Sequence, residues 1–552
     1  MKRAAGEQRA QPAGLVLRAR SAFTGAGSAA RPLAVGVAGD RISWVGRLGE
    51  EGGAACPVGQ GAEVVDCGDG LLLPGFHDAH VHFFHSALYA SPLAEQFVGT
   101  SEEDCVARLA PLAARRPAGS WLLAQGWREY LWDVPCTPSR DSLDAAYPGQ
   151  PVALYSGDAH TLWLNSRALE ELGIDESARA PAGGSYDRDA HGRLTGIVRE
   201  AAAMELMPRI VAGFGRDELL DAYRGFQRRL NANGVTAVCD LALMAGPGLD
   251  FVRDDLFEQL ERAGELTVRT HLFPTLLPGG SRLPELQGRL RGPLLRAQGL
   301  KQFFDGVSSQ HTAWLREPYA NARFEGDCGR PTVEPAQMRQ MVLGAAAAGQ
   351  GVRIHAIGDE AIHQGLGIYE AARASGADQV LLALEHLENF QPGDVERVAR
   401  LGVVASVQPR HMTLDPGGPE RDLGPKRVPL MWPLRSLLDA GATLAFGTDS
   451  PVTGIEPLRA IYTAVARRDA DTRLPEGGWL PEQAISVAEA LRAYTWGSAV
   501  AAGRADELGL IAPGMLADMA VLDRNVLAAA PDQLLEARVV ATYVGGRKVY
   551  GA

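Results

Sequence analysis

Apolar residues in this chain come in short bursts, and the character of the bursts changes along it. At the start, GLVLRA (14–19), PLAVGVAG (32–39) and RISWVGRL (41–48) are β-rich runs separated by Gly and Ala turns, and VVDCGDGLLLPG (64–75) closes the segment. The same texture returns at the end in LADMAVLDR (516–524) and ARVVATYVGGRKVY (537–550), with a hairpin expected at Gly545–Gly546. These two ends, residues 1–73 and 501–552, predict one small β-sandwich domain assembled from both termini. Between them, eight strand-like runs recur: 76–84, 234–243, 266–273, 299–307, 351–359, 381–389, 403–409 and 442–452. Most are nearly continuous in apolar residues, as strands buried on both faces must be. Helical patterns such as 217–233 and 335–349 fall between them. Strand then helix, repeated eight times, predicts an α/β fold, a parallel (β/α)8 barrel of the TIM type over 74–500. One interval breaks the rhythm. About 150 residues separate the first strand from the second, far more than a crossover needs. They predict an inserted subdomain over about 86–215, at the mouth of the barrel.

Composition narrows the partners. The 552 residues include 54 Lys+Arg and 66 Asp+Glu, and 54 − 66 = −12. That acidic balance argues against nucleic acid or an anionic membrane surface as a partner. No apolar run approaches the roughly 20 residues of a membrane helix. The first residues, MKRAAGEQRAQPAG, carry basic groups with no apolar stretch behind them, so a secretory signal is not expected. Six scattered Cys with no CxxC pair read as reduced thiols, and the expected location is the cytoplasm.

Polar residues then stand out by where they fall. His80 and His82 are two apart, so on a strand both imidazoles project from one face. Lys301 lies in the fourth run, His355 in the fifth, His386 in the sixth and Asp449 in the eighth. Barrel active sites form at strand C-terminal ends, where these residues cluster. Four imidazoles, a carboxylate and a lysine make a donor set of the zinc type. His77 falls on the opposite face from His80 by the period-2 rule and is expected to be structural, outside the metal shell. His85 is not expected to be a ligand, and Cys239 is read as packing. The Gln310–His311 pair finds no role in this reading.

PGFHDAHVHF (74–83) resembles the signature of the metal-dependent amidohydrolase superfamily. KQFFDGV (301–307), IHAIGDEAI (354–362), EHLE (385–388), SVQPRHM (406–412) and FGTDSPV (446–452) are similar, more narrowly, to amidohydrolase family 3, in the branch that includes N-substituted formamide deformylases. EALRAYTWGSA (489–499), LGLIAPGMLADMAVLD (508–523) and DAHTLWLNSRAL (158–169) extend the likeness over nearly the whole chain. The resemblance implies that His80, His82 and Asp449 bind the more buried of two divalent metals, expected to be zinc, and that His355 and His386 bind the second. It puts Lys301 where many members carry a carboxylated, bridging lysine. It implies hydrolysis of an amide, N-substituted formamide or cyclic amide C–N bond in a small-molecule substrate, with Asp449 as general base. Expected substrate contacts are Asp158, His160, Trp163, Gln408 and His411, with Trp127, Trp132 and Trp314 as further apolar candidates and Asp305 and Arg410 orienting ligands. A lactonase, ester hydrolase or deaminase on the same centre is the alternative, and a non-catalytic scaffold a third reading. A homodimer is the expected assembly.

Overall fold

The computed structural model describes residues 12–52, 57–157, 161–181, 184–243 and 250–551, the side chain of Tyr130 aside. It divides into two compact units, Met1–His82 with Gln227–Ala552, and Phe83–Phe226.

In the first unit, the two chain ends meet in one hydrogen-bonded sheet of eight strands. Its order runs Arg547–Tyr550, Val539–Val544, Met519–Leu522, Leu71–Pro74, Ala13–Ala22, Arg31–Ala38, Arg41–Arg47, and Val58–Asp66 pairs alongside Ala13–Ala22. The link between the ends is the antiparallel pairing of Leu71–Pro74 with Met519–Leu522. Leu15, Leu17, Val35, Val37, Ile42, Leu72, Met519 and Val521 pack into a core on this sheet. Gly545 and Gly546 both have positive φ, +55° and +74°, which suits the two-residue turn between the last two strands.

The eight internal runs all form parallel strands: Phe76–Val81, Val235–Leu241, Arg269–Phe273, Gly299–Phe303, Gly351–Ala356, Leu382–His386, Val404–Val407 and Thr443–Phe446. Each pairs with its neighbours in chain order, except that a short strand ahead of the fourth run takes the edge of the third. Leu295–Ala297 pairs with the third strand and Gly299–Phe303 with the fifth, so the hydrogen-bonded ladders form a four-stranded and a five-stranded sheet. Single parallel bridges, Thr275 to Lys301 and Val81 to Ser450, stand between the two sheets. Nearly every residue of these strands is buried, which accounts for their continuous apolar character. Charged residues are enclosed in these strands as well, among them Arg353 and Glu385, both at 0% exposure.

The second unit, Phe83–Phe226, holds a six-stranded sheet in the order Gly184–Arg188, Leu194–Glu200, Thr161–Leu164, Val152–Ser156, Leu122–Trp127, Ala94–Gln96. Its core gathers Trp127, Trp132 and Trp163 with Leu122, Leu154 and Ile197. Among the described residues, no helix of the protein is long and apolar enough to cross a membrane.

Candidate metal centre

The first and last core strands are stitched together by backbone and side chain. Asp449 N donates to His80 O at 2.7 Å, and His82 N to Ser450 O at 3.0 Å. Asp78 accepts from Thr448 Oγ1 at 2.6 Å, from Thr448 N at 3.0 Å and from His80 N at 3.1 Å. The approach is so close that a Cβ on Gly447 would meet His80 N at 2.5 Å, so only glycine fits there. Asp449 and His386 themselves hold φ of +55° and +73°, a left-handed backbone that non-glycine residues rarely adopt outside functional sites.

The stitching sets the side chains. His80 Nδ1 lies 2.7 Å from Glu385 Oε2, and His82 Nδ1 lies 2.9 Å from Leu241 O. Both acceptors can only receive, so each Nδ1 carries the proton and each Nε2 keeps its lone pair. Both Nε2 atoms then face Asp449 Oδ1, at 3.3 Å from His80 and 3.0 Å from His82. Three lone pairs converging in a buried space repel unless a cation lies among them. Where the two rings are protonated instead, they donate to the Asp449 carboxyl and hold it well below its ordinary range although burial acts the other way, so the carboxylate is ionised in either state.

Lys301, His355 and His386 are buried in the same unit. The rings of His80 and His386 are 4.9 Å apart and those of His355 and His386 4.4 Å. His355 Nε2 lies 3.1 Å from Gly306 O, which leaves its Nδ1 bare, and His386 Nδ1 and Lys301 Nζ also lack a hydrogen-bond partner. Burial, with Lys301 adding to it at His355 and the other imidazoles at His386, holds both histidines far below the usual imidazole range, hence neutral. Burial also brings Lys301 down to about 8. The orphaned, uncharged imidazole nitrogens of His355 and His386 beside a carboxylate fit a divalent ion of the borderline-soft type.

His411 comes closer to this chemistry than its expected substrate role requires. Its ring stacks on His386 at 5.7 Å, its Nε2 is 3.6 Å from Asp449 Oδ2, and its Nδ1 is 3.5 Å from Glu388 Oε1. His386, His411 and Asp449 form a second triplet of convergent donors beside His80, His82 and Asp449. Gln408 is buried with its Nε2 3.3 Å from His80 Nδ1, so it touches the proton-bearing edge of a ligand. Trp163 is enclosed in the core of the other unit, its indole N–H donating to Ser139 O at 2.9 Å, and it offers no face to a ligand there. Asp158 and His160 lie outside the described residues. Asp305 accepts from Trp314 N, Ile357 N and Gly358 N at 2.9, 3.0 and 2.7 Å, fastening the loops that follow the fourth and fifth strands. Arg410 turns to Asp471 instead.

Two residues beneath the ligands went unnoticed in the sequence. Glu385 accepts from Arg353 Nε at 2.7 Å while holding His80, and Arg353 also donates to Ala79 O at 2.7 Å and Ser406 Oγ at 3.1 Å. Burial raises the Glu385 carboxyl, but Arg353 and His80 overcome it and keep it ionised. Such a carboxylate–histidine pair fixes the ring and raises its basicity as a ligand. A charged residue inside each of two apolar strands, GVRIHA and LALEH, was the available signal.

The expectation for His77 needs correcting. Between Asp78 and Val81 the first strand carries one extra residue against the second, and this bulge resets the alternation. His77 therefore belongs to the same interior as His80. Its Nε2 lies 3.6 Å from Cys239 Sγ and 3.3 Å from His271 Nδ1, and Arg353 faces that thiol from the Glu385 side. It is no part of the ligand set above.

Residues 63–550 match the model of the family described as amidohydrolase family. The Arabidopsis thaliana protein LONG AFTER FAR-RED 3 is 32% identical over 508 residues, 89% of this chain and 84% of the relative. N-substituted formamide deformylase of Arthrobacter pascens is 29% identical over 542 residues, 93% of this chain and 94% of the relative. Among solved structures, an uncharacterized metal-dependent hydrolase from Pyrococcus horikoshii OT3 superposes with a TM-score of 0.74 at 24% identity, covering 94% of this chain and 99% of that one, a likeness of fold.

Proposed function

The chain belongs to the amidohydrolase family, and from that premise we propose that it is a metal-dependent hydrolase of a non-peptide C–N bond, with an amide or N-substituted formamide as substrate. The observation that carries this reading is the meeting of His80 Nε2 and His82 Nε2 at Asp449 Oδ1, 3.3 and 3.0 Å away, with the Nδ1 atom of each ring already held by an acceptor. The two parallel sheets with a bridge at each seam are read as one eight-stranded barrel. His80, His82 and Asp449 would hold one ion, and His355 and His386, with Lys301 or His411, a second, zinc being the ion that suits these donors. Such ions supply Lewis acidity toward a carbonyl and make water acidic enough to ionise near neutral pH.

Asp449 then has a defined task. Ionised and strained at the strand end, it accepts the proton of the attacking water and returns it to the leaving nitrogen as the C–N bond breaks. With a formamide, the products are formate and an amine. His411 stands between Asp449 and Glu388, its ring nitrogens 3.6 and 3.5 Å from their carboxylate oxygens. Lys301 has a buried nitrogen with no partner, and as the free amine it can add CO2, releasing a proton, to become an oxygen-donor carbamate. The likeness to the formamide deformylase over almost the full length of both chains favours the formamide class.

The test is metal content and turnover together. Protein purified without chelator or affinity metal is expected to carry about two equivalents of zinc or a similar ion by elemental mass spectrometry, and to hydrolyse simple formamides. Asp449→Asn is expected to lower kcat by roughly 10²–10⁴. Protein that stays metal-free after zinc and bicarbonate are supplied would overturn the reading.

A further inference from the structure

A cavity of about 240 Å³ lies among the segments that follow the fourth, fifth, sixth and seventh parallel strands. Arg316, Asp359, Asn389 and Arg427 line it, one from each segment in turn. None of the metal donors His80, His82, Lys301, His355, His386 and Asp449 does. The space is several times the roughly 30 Å³ share of one water, which suits a single small molecule and not a peptide.

Its polar groups carry both signs. Two guanidiniums, Arg316 and Arg427, and two carboxylates, Glu317 and Asp359, belong to the wall. Arg427 gives Nε, Nη1 and Nη2 to the carbonyls of Leu423, Glu317 and Pro318 at 2.7, 3.0 and 2.9 Å, which uses three of its five N–H groups. Arg316 gives Nη1 to Gln391 Oε1 at 2.7 Å, and its peptide N–H donates to Asp359 Oδ1 at 3.0 Å. Among the described residues neither guanidinium has an ion-pair partner, so both keep N–H groups to give. Asn389 is 5% exposed, and its Nδ2 donates to Ile357 O at 2.9 Å, yet its Oδ1 accepts from no described residue. A buried acceptor left open is costly until a donor reaches it. Burial raises the Asp359 carboxyl, against the Arg316 N–H and the charge of Arg427, and a further cation beside it would relieve that penalty. Leu315, Phe390 and Leu423, all buried, make the apolar part of the wall.

We propose that this cavity is a binding site for a free α-amino acid with an apolar side chain, its carboxylate taken by Arg316 and Arg427 and its ammonium by Asp359 and Asn389 Oδ1. A zwitterion answers both sets of groups at once. A plain carboxylic acid would leave Asp359 and Asn389 without a donor, and a plain amine would leave the two arginines without an anion. The site is separate from the metal centre and does not depend on the C–N hydrolase reading.

Isothermal titration calorimetry on the metal-loaded full chain should compare L-leucine with 4-methylpentanoate, which lacks its ammonium, and with 3-methylbutylamine, which lacks its carboxylate. L-Leucine is expected to bind at one molecule per chain, and each analogue about tenfold to a hundredfold more weakly. Arg316→Gln and Asp359→Asn should each weaken L-leucine by about tenfold or more. Arg316→Lys, which keeps the charge and guards against a folding failure, should recover part of the affinity. Asp449→Asn should bind L-leucine as the wild-type protein does. No binding of L-leucine or L-phenylalanine at millimolar concentrations would overturn the proposal, as would equal binding of the acid or the amine. Affinity unchanged in both Arg316→Gln and Asp359→Asn would do the same. Binding lost in Asp449→Asn and kept in Arg316→Gln would put the amino acid at the metal centre instead.

Discussion

Two buried clusters of metal-type donors draw on the first core strand and differ in what surrounds them. His80, His82 and Asp449 turn bare lone pairs toward one point. His77, Cys239 and His271 are as close together and as deeply buried. There, however, Arg504 Nη1 lies 3.3 Å from His271 Nε2, and arginine can only donate. His271 Nε2 must accept, so its Nδ1 carries the proton and gives it to His77 Nε2. Burial pushes the Cys239 thiol up to about 12 and the His77 imidazole down to about 3, so both stay neutral. The upper cluster has a carboxylate in its midst; the lower one is flanked by Arg353 and Arg504. Donor type and spacing alone do not make a metal centre. The direction of the lone pairs and the sign of the neighbouring charge decide between them.

The contrast can be broken most decisively by exchange of its members. His80→Asn with His82→Asn is expected to remove metal and lower activity by about 10³ or more, whereas His77→Gln with His271→Gln should keep the full metal content by elemental mass spectrometry. Loss of metal in the second variant would erase the distinction. Next in size is Glu385→Gln. It leaves Arg353 buried without its counter-ion, at a cost of about 3–5 kcal/mol in denaturant unfolding, and weakens metal retention in a chelator competition by about 10–100-fold. Acid stability sharpens the contrast further. Folded His77 takes up a proton only at about pH 3, against an ordinary value of 6.5. Between these values the unfolded chain binds the extra proton, so stability rises with pH across the window and falls on acidification. His77→Gln should make the loss between pH 6.5 and 3 shallower by roughly 2–4 kcal/mol, measured as denaturant midpoints against pH. The smallest effect is expected for Cys239→Ala, about 1 kcal/mol with metal content unchanged.

The eight core strands were legible because each is a compact apolar run with the length and spacing that parallel pairing demands. The short strand Leu295–Ala297 ahead of the fourth run was not, because three residues carry too little pattern and their pairing depends on which neighbour they meet. The position of His77 was misread for a similar reason, since one bulged residue between Asp78 and Val81 inverts the alternation and leaves no mark in composition. The ligand candidates stood out as polar groups at the ends of apolar strands. Their orientation could not, since it is fixed by Glu385, by the Leu241 carbonyl and by the positive φ of His386 and Asp449. The tryptophans looked like pocket walls, yet Trp127 and Trp163 spend their N–H groups on backbone carbonyls within a core.

The clasp between Asp78 and Thr448 joins residues 370 apart in the chain. Contacts of that separation form slowly, after the loop between them has closed. A ribosome releases the amino end first, so His80 and His82 emerge long before their carboxylate partner exists. About four-fifths of the 552 residues must be made before Asp449 can reach them, and completion of the donor set is therefore placed late in biosynthesis. A chain truncated ahead of its eighth core strand would hold two histidines of the centre with no carboxylate to complete it.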